Sequence, residues 1–280
     1  MADPVTNPID YLVIGHVAKD LTPEGPVLGG TAAYACRTAH ALGLRVGIVT
    51  SAGKDVDLSP LDDLEMTCLP AEHTTTFENR YTHEGREQTL HARASNISPA
   101  DIPPQWHTTD IVHLGPIVAE VDPDLIDRFP GALIGITPQG WLRRWDEDGC
   151  ISPTKWDQLI GLLPATGAVV LIVGDLGGDP QAAQELAASC DVLAVTNGAR
   201  VFWNRQERHI PVPVAVVKVN PTGAGDIFAA AFFVHLYQSK DPWDAAHFAN
   251  RLAAISVTRH DLAATPTTDE VRLAHLQVNP

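Results

Sequence analysis

The residue types best suited to chemistry stand together in Val219-Asn220-Pro221-Thr222-Gly223-Ala224-Gly225-Asp226-Ile227-Phe228. A β-branched run ends at Val219, a turn of small residues follows, and an apolar helix is predicted from Ile227. Gly223, Ala224 and Gly225 put backbone N–H groups at a helix start with almost no side-chain bulk over them. Unpaired N–H groups and the positive end of the helix dipole attract anions there. Asp226 falls in the first helical turn, where a carboxylate is stable and can act as a base. An anion cradle beside a base suits transfer of a phosphoryl group to a hydroxyl. A Gly-rich turn with an acidic first helical turn also arises for structural reasons alone, so the rest of the chain has to decide.

The elements that must position this turn read as an α/β pattern. Tyr11-Leu12-Val13-Ile14-Gly15 is a buried first strand, and Asp20 follows it. Gly29-Gly30 opens an Ala-rich helix running to about Leu42. Arg45 to Thr50 is the second predicted strand. A phosphate-loop reading of Gly47 to Gly53 fails, because five residues intervene and Lys54 is followed by Asp55. His73 to Ala94 alternates polar and aromatic residues around a turn at His83–Arg86, which predicts a hairpin serving as a lid or a dimer edge. From Asp110 strands and helices alternate, with a short helix near Pro123–Arg128 and another over Asp179–Ser189. The last long helix opens at Asp241-Pro242 and contains Asn250 among apolar neighbours. Near-continuous apolar strands alternating with helices imply a mostly parallel sheet covered on both faces, with ligands beyond the carboxyl ends of its strands. Asp20, Gly29, Gln139, Thr196 and Gly225 all follow such ends.

A chain of 280 residues with 45% hydrophobic and 19% charged residues can bury a sizeable core. Its net charge of −15 argues against nucleic acid or an anionic membrane as partner. The four cysteines are scattered with no C-x-x-C pair, so neither a disulfide scaffold nor a zinc site is expected, and a reducing cytoplasm fits. No basic-then-apolar signal region opens the sequence, and no apolar run is long enough to span a bilayer.

Thr222-Gly223-Ala224-Gly225-Asp226, with Phe228 after it, resembles the C-terminal signature of ribokinase-like (PfkB-type) carbohydrate kinases, usually Asp-Thr-Thr-Gly-Ala-Gly-Asp. The resemblance implies a three-layer α/β/α fold over 1–280, with a β lid at about 73–94 joined by part of 18–30. It makes Asp226 the catalytic base and Gly223 to Gly225 the anion hole. Asp20 matches an aspartate that binds substrate hydroxyls, and Gly29-Gly30 the substrate-side double glycine. Thr196-Asn197-Gly198 is similar to the nucleotide-side turn, where Thr222, Gly225 and Asn250 join it. ATP and Mg²⁺ follow as expected cofactors.

The pattern also departs from the family. Asn220-Pro221 replaces Asp-Thr, Ala18 replaces a frequent Asn, and the Asn-x-x-Glu motif linked to Mg²⁺ is not recognisable. Val173-Gly174-Asp175-Leu176 takes its place and leaves Asp175 as the acidic candidate for the metal. The pattern looks closer to the inositol-kinase-like subgroup than to ribokinase. The expected activity is phosphorylation of a sugar, polyol or nucleoside hydroxyl. Phe77, Asn79 and Gln88 from the hairpin and Gln139 and Arg143 from the loop are the further substrate contacts. Arg86 is a further candidate for contact with the substrate. A homodimer through the hairpin and a non-catalytic sugar- or nucleotide-binding protein on the same fold are the other expectations. A dinucleotide oxidoreductase is excluded, since no Gly-x-Gly-x-x-Gly follows the first strand.

Overall fold

Tyr11 to Ile14 is apolar at every position, and such a run is stable as a strand only when both of its faces are covered. In the computed structural model Tyr11 and Val13 enter one core cluster and Leu12 and Ile14 another, on the opposite face of the sheet. The structure describes residues 8–82, 85–155, 159–163, 166–176, 181–196, 199–213 and 219–276.

In chain order the elements begin with β1 (Tyr11–Ile14), β2 (Ala18–Thr22), β3 (Gly25–Gly29), α1 (Thr31–Ala41), β4 (Val46–Ala52) and β5 (Glu65–Pro70). Next come β6 (Thr76–Thr82), β7 (Gly85–Ala92), β8 (Ile111–Leu114), β9 (Leu133–Ile136), β10 (Arg143–Trp145) and β11 (Ile151–Pro153). The remainder is β12 (Ala168–Leu171), α2 (Ala182–Ala187), β13 (Val192–Val195), β14 (Arg200–Trp203), β15 (Gln206–His209), α3 (Ala224–Ser239), α4 (Pro242–Ser256) and α5 (Thr268–Leu276).

The large sheet has the order β15-β14-β13-β12-β9-β8-β1-β4-β5, parallel except for the antiparallel β13-β14-β15 edge. One face carries α1, α3 and α4, and the other α2 and short 3₁₀ turns. This is the three-layer arrangement expected from the sequence. α3 is buried from Ile227 through Leu236, as a helix apolar all round must be. Asp241 caps α4 by accepting from the N–H groups of Trp243 and Asp244, with Pro242 at the first helical position.

A second, four-stranded sheet has the order β3-β2-β6-β7. Phe77 and Leu90 bury themselves beneath it with Ala18, Ile117 and Val118. The β10–β11 hairpin reaches β7, where Leu90 N–H donates to the Gly149 carbonyl at 2.8 Å. The outer edge of β7 is therefore already occupied at Thr89 and Leu90.

Several elements differ from the sequence reading. The second predicted strand is β4, because β2 and β3 form strands before it. β5, β10, β11, β14 and β15 are further strands that apolar periodicity does not show. The segment near Pro123–Arg128 is a 3₁₀ turn. Only Ala182–Ala187 of the 179–189 segment is described as helix. Residues 83 and 84 of the expected turn lie outside the described residues.

Candidate active site

The chain leaves β1 for β4 on one side and enters β8 on the other, so β1 and β8 are adjacent parallel strands at the point where the strand order reverses. That is where an open α/β sheet forms its ligand crevice. Gly15 and Gly115 follow the two strands, and a Cβ on Gly15 would lie 2.3 Å from the Gly115 carbonyl oxygen. The backbones meet there because neither carries a side chain.

Two helix N-termini face this point. Gly30 caps α1 with φ of 85° and Gly223 caps α3 with φ of 81°, in the region of backbone space that glycine tolerates at least cost. A Cβ on Gly223 would fall 2.4 Å from the ring of Tyr34 on α1, so the two helix starts are in direct contact. The Thr31 hydroxyl, on the first residue of α1, donates to Asp226 Oδ1 at 2.6 Å. Asp226 is half-buried at the third position of α3. The Asn220 side chain accepts the Thr222 N–H at 2.9 Å and closes the turn before α3. Asn220 therefore has a structural task at the position where the family's usual Asp is missing.

The anion cradle needs one correction. The Ala224 N–H donates to the Pro221 carbonyl at 3.3 Å. The first intrahelical bond runs from Ile227 N–H to the Gly223 carbonyl at 2.9 Å, so the N–H groups of Gly225 and Asp226 precede it. Of the three expected donors, the Ala224 N–H thus has a backbone partner of its own.

On the acceptor side, β2 and β6 are parallel and β6 and β7 antiparallel, which puts Asp20, Asn79 and Gln88 in one row. Gln88 Nε2 donates to Asn79 Oδ1 at 2.9 Å, and Asn79 Nδ2 lies 3.4 Å from Asp20 Oδ1. A Cβ on Gly29 would lie 2.2 Å from Asp20 Oδ2. Phe77 is 3% exposed and, two residues before Asn79 on the same face, it flanks this row within the apolar cluster of the small sheet. Gln139 and Arg143 belong to the segment that packs on 116–118, and Arg143 Nη1 lies 3.4 Å from the Ile117 carbonyl.

On the other side, Thr196 is buried at the end of β13, with its N–H on the Leu171 carbonyl. Asn197 and Gly198 lie outside the described residues, as does the Arg86 side chain. Asp175 Oδ2 accepts from Ile172 N–H at 3.0 Å, and the Ile172 side chain would be 3.0 Å from a Cβ on Gly225. Asp175 closes the turn after β12, and it is the Ile172 side chain that reaches the anion turn. Asn250 is buried, and its amide donates to the Ile210 and Pro211 carbonyls at 3.3 and 3.4 Å. It anchors the segment after β15. Among the described residues, no three His, Cys, Asp or Glu side chains gather as a metal cage.

Beneath the crevice runs a buried polar row. His113 Nδ1 is 2.7 Å from the Tyr11 hydroxyl, and Nε2 is 2.9 Å from Thr137 Oγ1. Burial pushes the His113 pKa down to about 3, so the ring is neutral. Burial above all, then the charges of Cys36 and Asp226, holds the Tyr11 hydroxyl well above its usual range. Sequence reasoning missed Thr31, Tyr34 and His113. The first-turn position of Thr31 after a double glycine is the one local sign of its role.

This strand order, with its crevice at the reversal and a small sheet beside it, is that of a ribokinase-type α/β fold. Residues 171–269 match the family model described as pfkB family carbohydrate kinase. An inositol 3-kinase of Zea mays is 24% identical over 281 residues, covering 90% of this chain and 73% of that relative. A cytidine kinase of Thermococcus kodakarensis is 24% identical, covering 80% of this chain and 87% of the relative. A pyrophosphate-dependent kinase in the ribokinase family, solved with a pyrophosphate analog and myo-inositol, superimposes with a TM-score of 0.78. It is 22% identical and covers 94% of this chain and 99% of its own, a likeness that speaks for the fold. The chain thus has the ribokinase fold, and its C-terminal third matches the pfkB carbohydrate kinase model. None of its described helices is long and apolar enough to cross a membrane.

Proposed function

We propose that the chain is an ATP-dependent kinase for a hydroxyl of a small polyol, with an inositol ahead of a sugar or nucleoside. The observation that carries this is the placement of Asp226, held on the substrate-side helix by Thr31 and standing above the adjacent N–H groups of α3. The acceptor hydroxyl gives its proton to Asp226, and its oxygen forms a bond to the γ-phosphorus. The bond from that phosphorus to the β-phosphate oxygen breaks, and ADP leaves. Backbone N–H groups at the start of α3, that of Gly225 among them, donate to the oxygens on which negative charge develops. Mg²⁺ bound with the donor phosphates would neutralise phosphate charge, with Asp175 as the candidate protein carboxylate. Thr196 and Thr222 take the donor side.

The row Gln88–Asn79–Asp20 ends in a carboxylate, which accepts hydrogen bonds from hydroxyls and repels phosphate. That favours an unphosphorylated acceptor rich in hydroxyls. It also agrees with inositol kinases among the relatives. The small sheet acts as a lid within one catalytic domain. Any edge-to-edge dimer would use β3 or the first half of β7, because Thr89 and Leu90 are occupied. The four cysteines are free thiols, which supports a reducing cytoplasm.

A second donor is favoured by one observation: the Asn250 amide serves backbone carbonyls and leaves the expected adenine-side contact unsupported. Pyrophosphate would need no such contact, and a structural neighbour uses it. The test pairs ATP and pyrophosphate with a panel of inositols, sugars and nucleosides, using the wild type and Asp226→Asn. Transfer to a polyol, reduced on the order of 10²–10⁴-fold by the substitution, is the expected result. Undiminished transfer by a folded Asp226→Asn protein refutes the base. A wild type that binds a panel member and transfers nothing to it supports a non-catalytic binder.

A further inference from the structure

The geometry points to Thr31 as the positioning residue that fixes Asp226 for proton transfer, so that the base carried by α3 takes its register from α1. This inference rests on the proposed kinase reading. Three observations converge on it.

Thr31 is 2% exposed, yet its hydroxyl lies 2.6 Å from a half-buried carboxylate oxygen that is 195 residues away in sequence. A hydroxyl carries one proton, and at this distance the proton is given to the carboxylate as a charge-assisted bond. The direction of that hydroxyl is not free. A Cβ on Gly115 would fall 2.5 Å from Thr31 Cγ2, so the threonine methyl occupies the space above Gly115. A β-branched side chain in a helix has few χ1 choices, and seating the methyl there settles where the oxygen points.

The backbone under Thr31 is held as firmly. A Cβ on Gly30 would meet Ala18 N at 2.7 Å and the His16 carbonyl oxygen at 2.8 Å, so α1 starts against the β1–β2 connection. One turn on, Tyr34 presses against Gly223 and stands 3.8 Å from where a Gly29 Cβ would be. Residues 29 to 34 therefore touch Asp20, the anion turn and Asp226 as one rigid piece. The alternative is that the third position of α3 alone orients Asp226, since a carboxylate there can turn back to its own helix start. Orientation by α3 would set the base relative to the phosphate donor. Orientation by Thr31 sets it relative to the acceptor, whose hydroxyl it must deprotonate.

The experiment measures kcat and acceptor KM for Thr31→Val, Thr31→Ser and Thr31→Ala, each made in the wild type and in Asp226→Asn. Valine keeps the methyl over Gly115 and removes the hydroxyl. Serine does the reverse. Thr31→Val is expected to lower kcat roughly 10- to 100-fold, as loss of one hydrogen bond to a charged group would. Acceptor KM should stay within about threefold, and Thr31→Ser should recover most of the rate. In Asp226→Asn the same valine should cost nothing further, because the partner it orients is gone. Thr31→Ala should follow Thr31→Val and stands in for it where valine does not fold. A Thr31→Val kcat within twofold of wild type overturns the inference while a dead Asp226→Asn leaves the kinase reading intact. So does an equal loss in both backgrounds, or a serine variant as slow as valine. A wild type without transfer removes the kinase reading, and this inference with it.

Discussion

The buried row under the crevice predicts how stability depends on pH. His113 has no exposure, lies edge-on to Phe233 at 5.0 Å and is pushed down to about 3 by burial. In the unfolded chain a histidine titrates near 6.5. Above that pH both states hold the ring neutral, and the group has no effect on the slope. Below it the unfolded chain binds a proton that the folded chain refuses, so stability is lost as pH falls toward 3. The loss is about 1.4 kcal/mol per pH unit, or ~2 kcal/mol at pH 5. His16 adds to it with the same sign, since burial lowers its pKa too. The paired carboxylates Asp10, Asp55 and Asp63 are held below the usual range and add their losses only at more acid pH. Urea unfolding at pH 7.5 and at pH 5 should therefore show a larger fall for the wild type than for His113→Gln, by ~2 kcal/mol. The glutamine variant starts lower, because it repacks against Tyr11 and Phe233, but its own fall should be shallower. Parallel falls in the two proteins would refute the claim that His113 is kept neutral by the fold.

Two other substitutions probe the crevice and the base of the small sheet. Gly29→Ala would set a methyl 2.2 Å from Asp20 Oδ2 and displace that carboxylate, so acceptor KM should rise at least tenfold with kcat less affected. An unchanged KM would remove Asp20 from the acceptor site. Glu120 is 1% exposed and accepts the backbone N–H groups of His16, Ile117 and Val118, tying the β1–β2 connection to the loop after β8. Glu120→Gln turns an amide NH₂ toward N–H donors and should cost about 2–3 kcal/mol in urea unfolding, whereas a loss under ~0.5 kcal/mol would show that the carboxylate is dispensable.

The sequence was legible where burial dictates residue type. Tyr11–Ile14, Ile111–Leu114, Ala168–Leu171 and Val192–Val195 are short apolar runs, and all four are central strands. β2 was not, because Lys19 and Asp20 make it look like a loop. Its strand geometry comes from pairing with β3 and β6, and the β6 pairing is long-range. The turn from Thr222 to Asp226 announced itself through its glycines. The partner that orients its carboxylate did not, since nothing local links Thr31 to a residue 195 positions on. Asn250 shows the converse. Its apolar setting on α4 was visible, but the Ile210 and Pro211 carbonyls that take its amide come from the segment after β15.

On the proposed reading the acceptor half of the crevice is a coupled set, and this bears on what can vary. Asp20, Gly29, Asn79 and Gln88 are joined by close approaches and hydrogen bonds, and Thr31 and Tyr34 connect that side to the base. Moving any one of them displaces another, so the acceptor class is held by a coupled set. On the proposed reading the donor side takes the N–H groups at the start of α3 and Thr196 at the end of β13. Helix-start N–H groups bind a phosphate oxygen with no regard for what lies beyond it. A donor change from nucleotide to pyrophosphate would therefore leave Asp226 and its Thr31 contact in place. An acceptor change would have to pass through the row from Gln88 to Asp20. On the proposed reading the same arrangement accounts for the tie between Asp226 and α1: the hydroxyl that Asp226 would deprotonate is the part of the reaction that this half of the site defines.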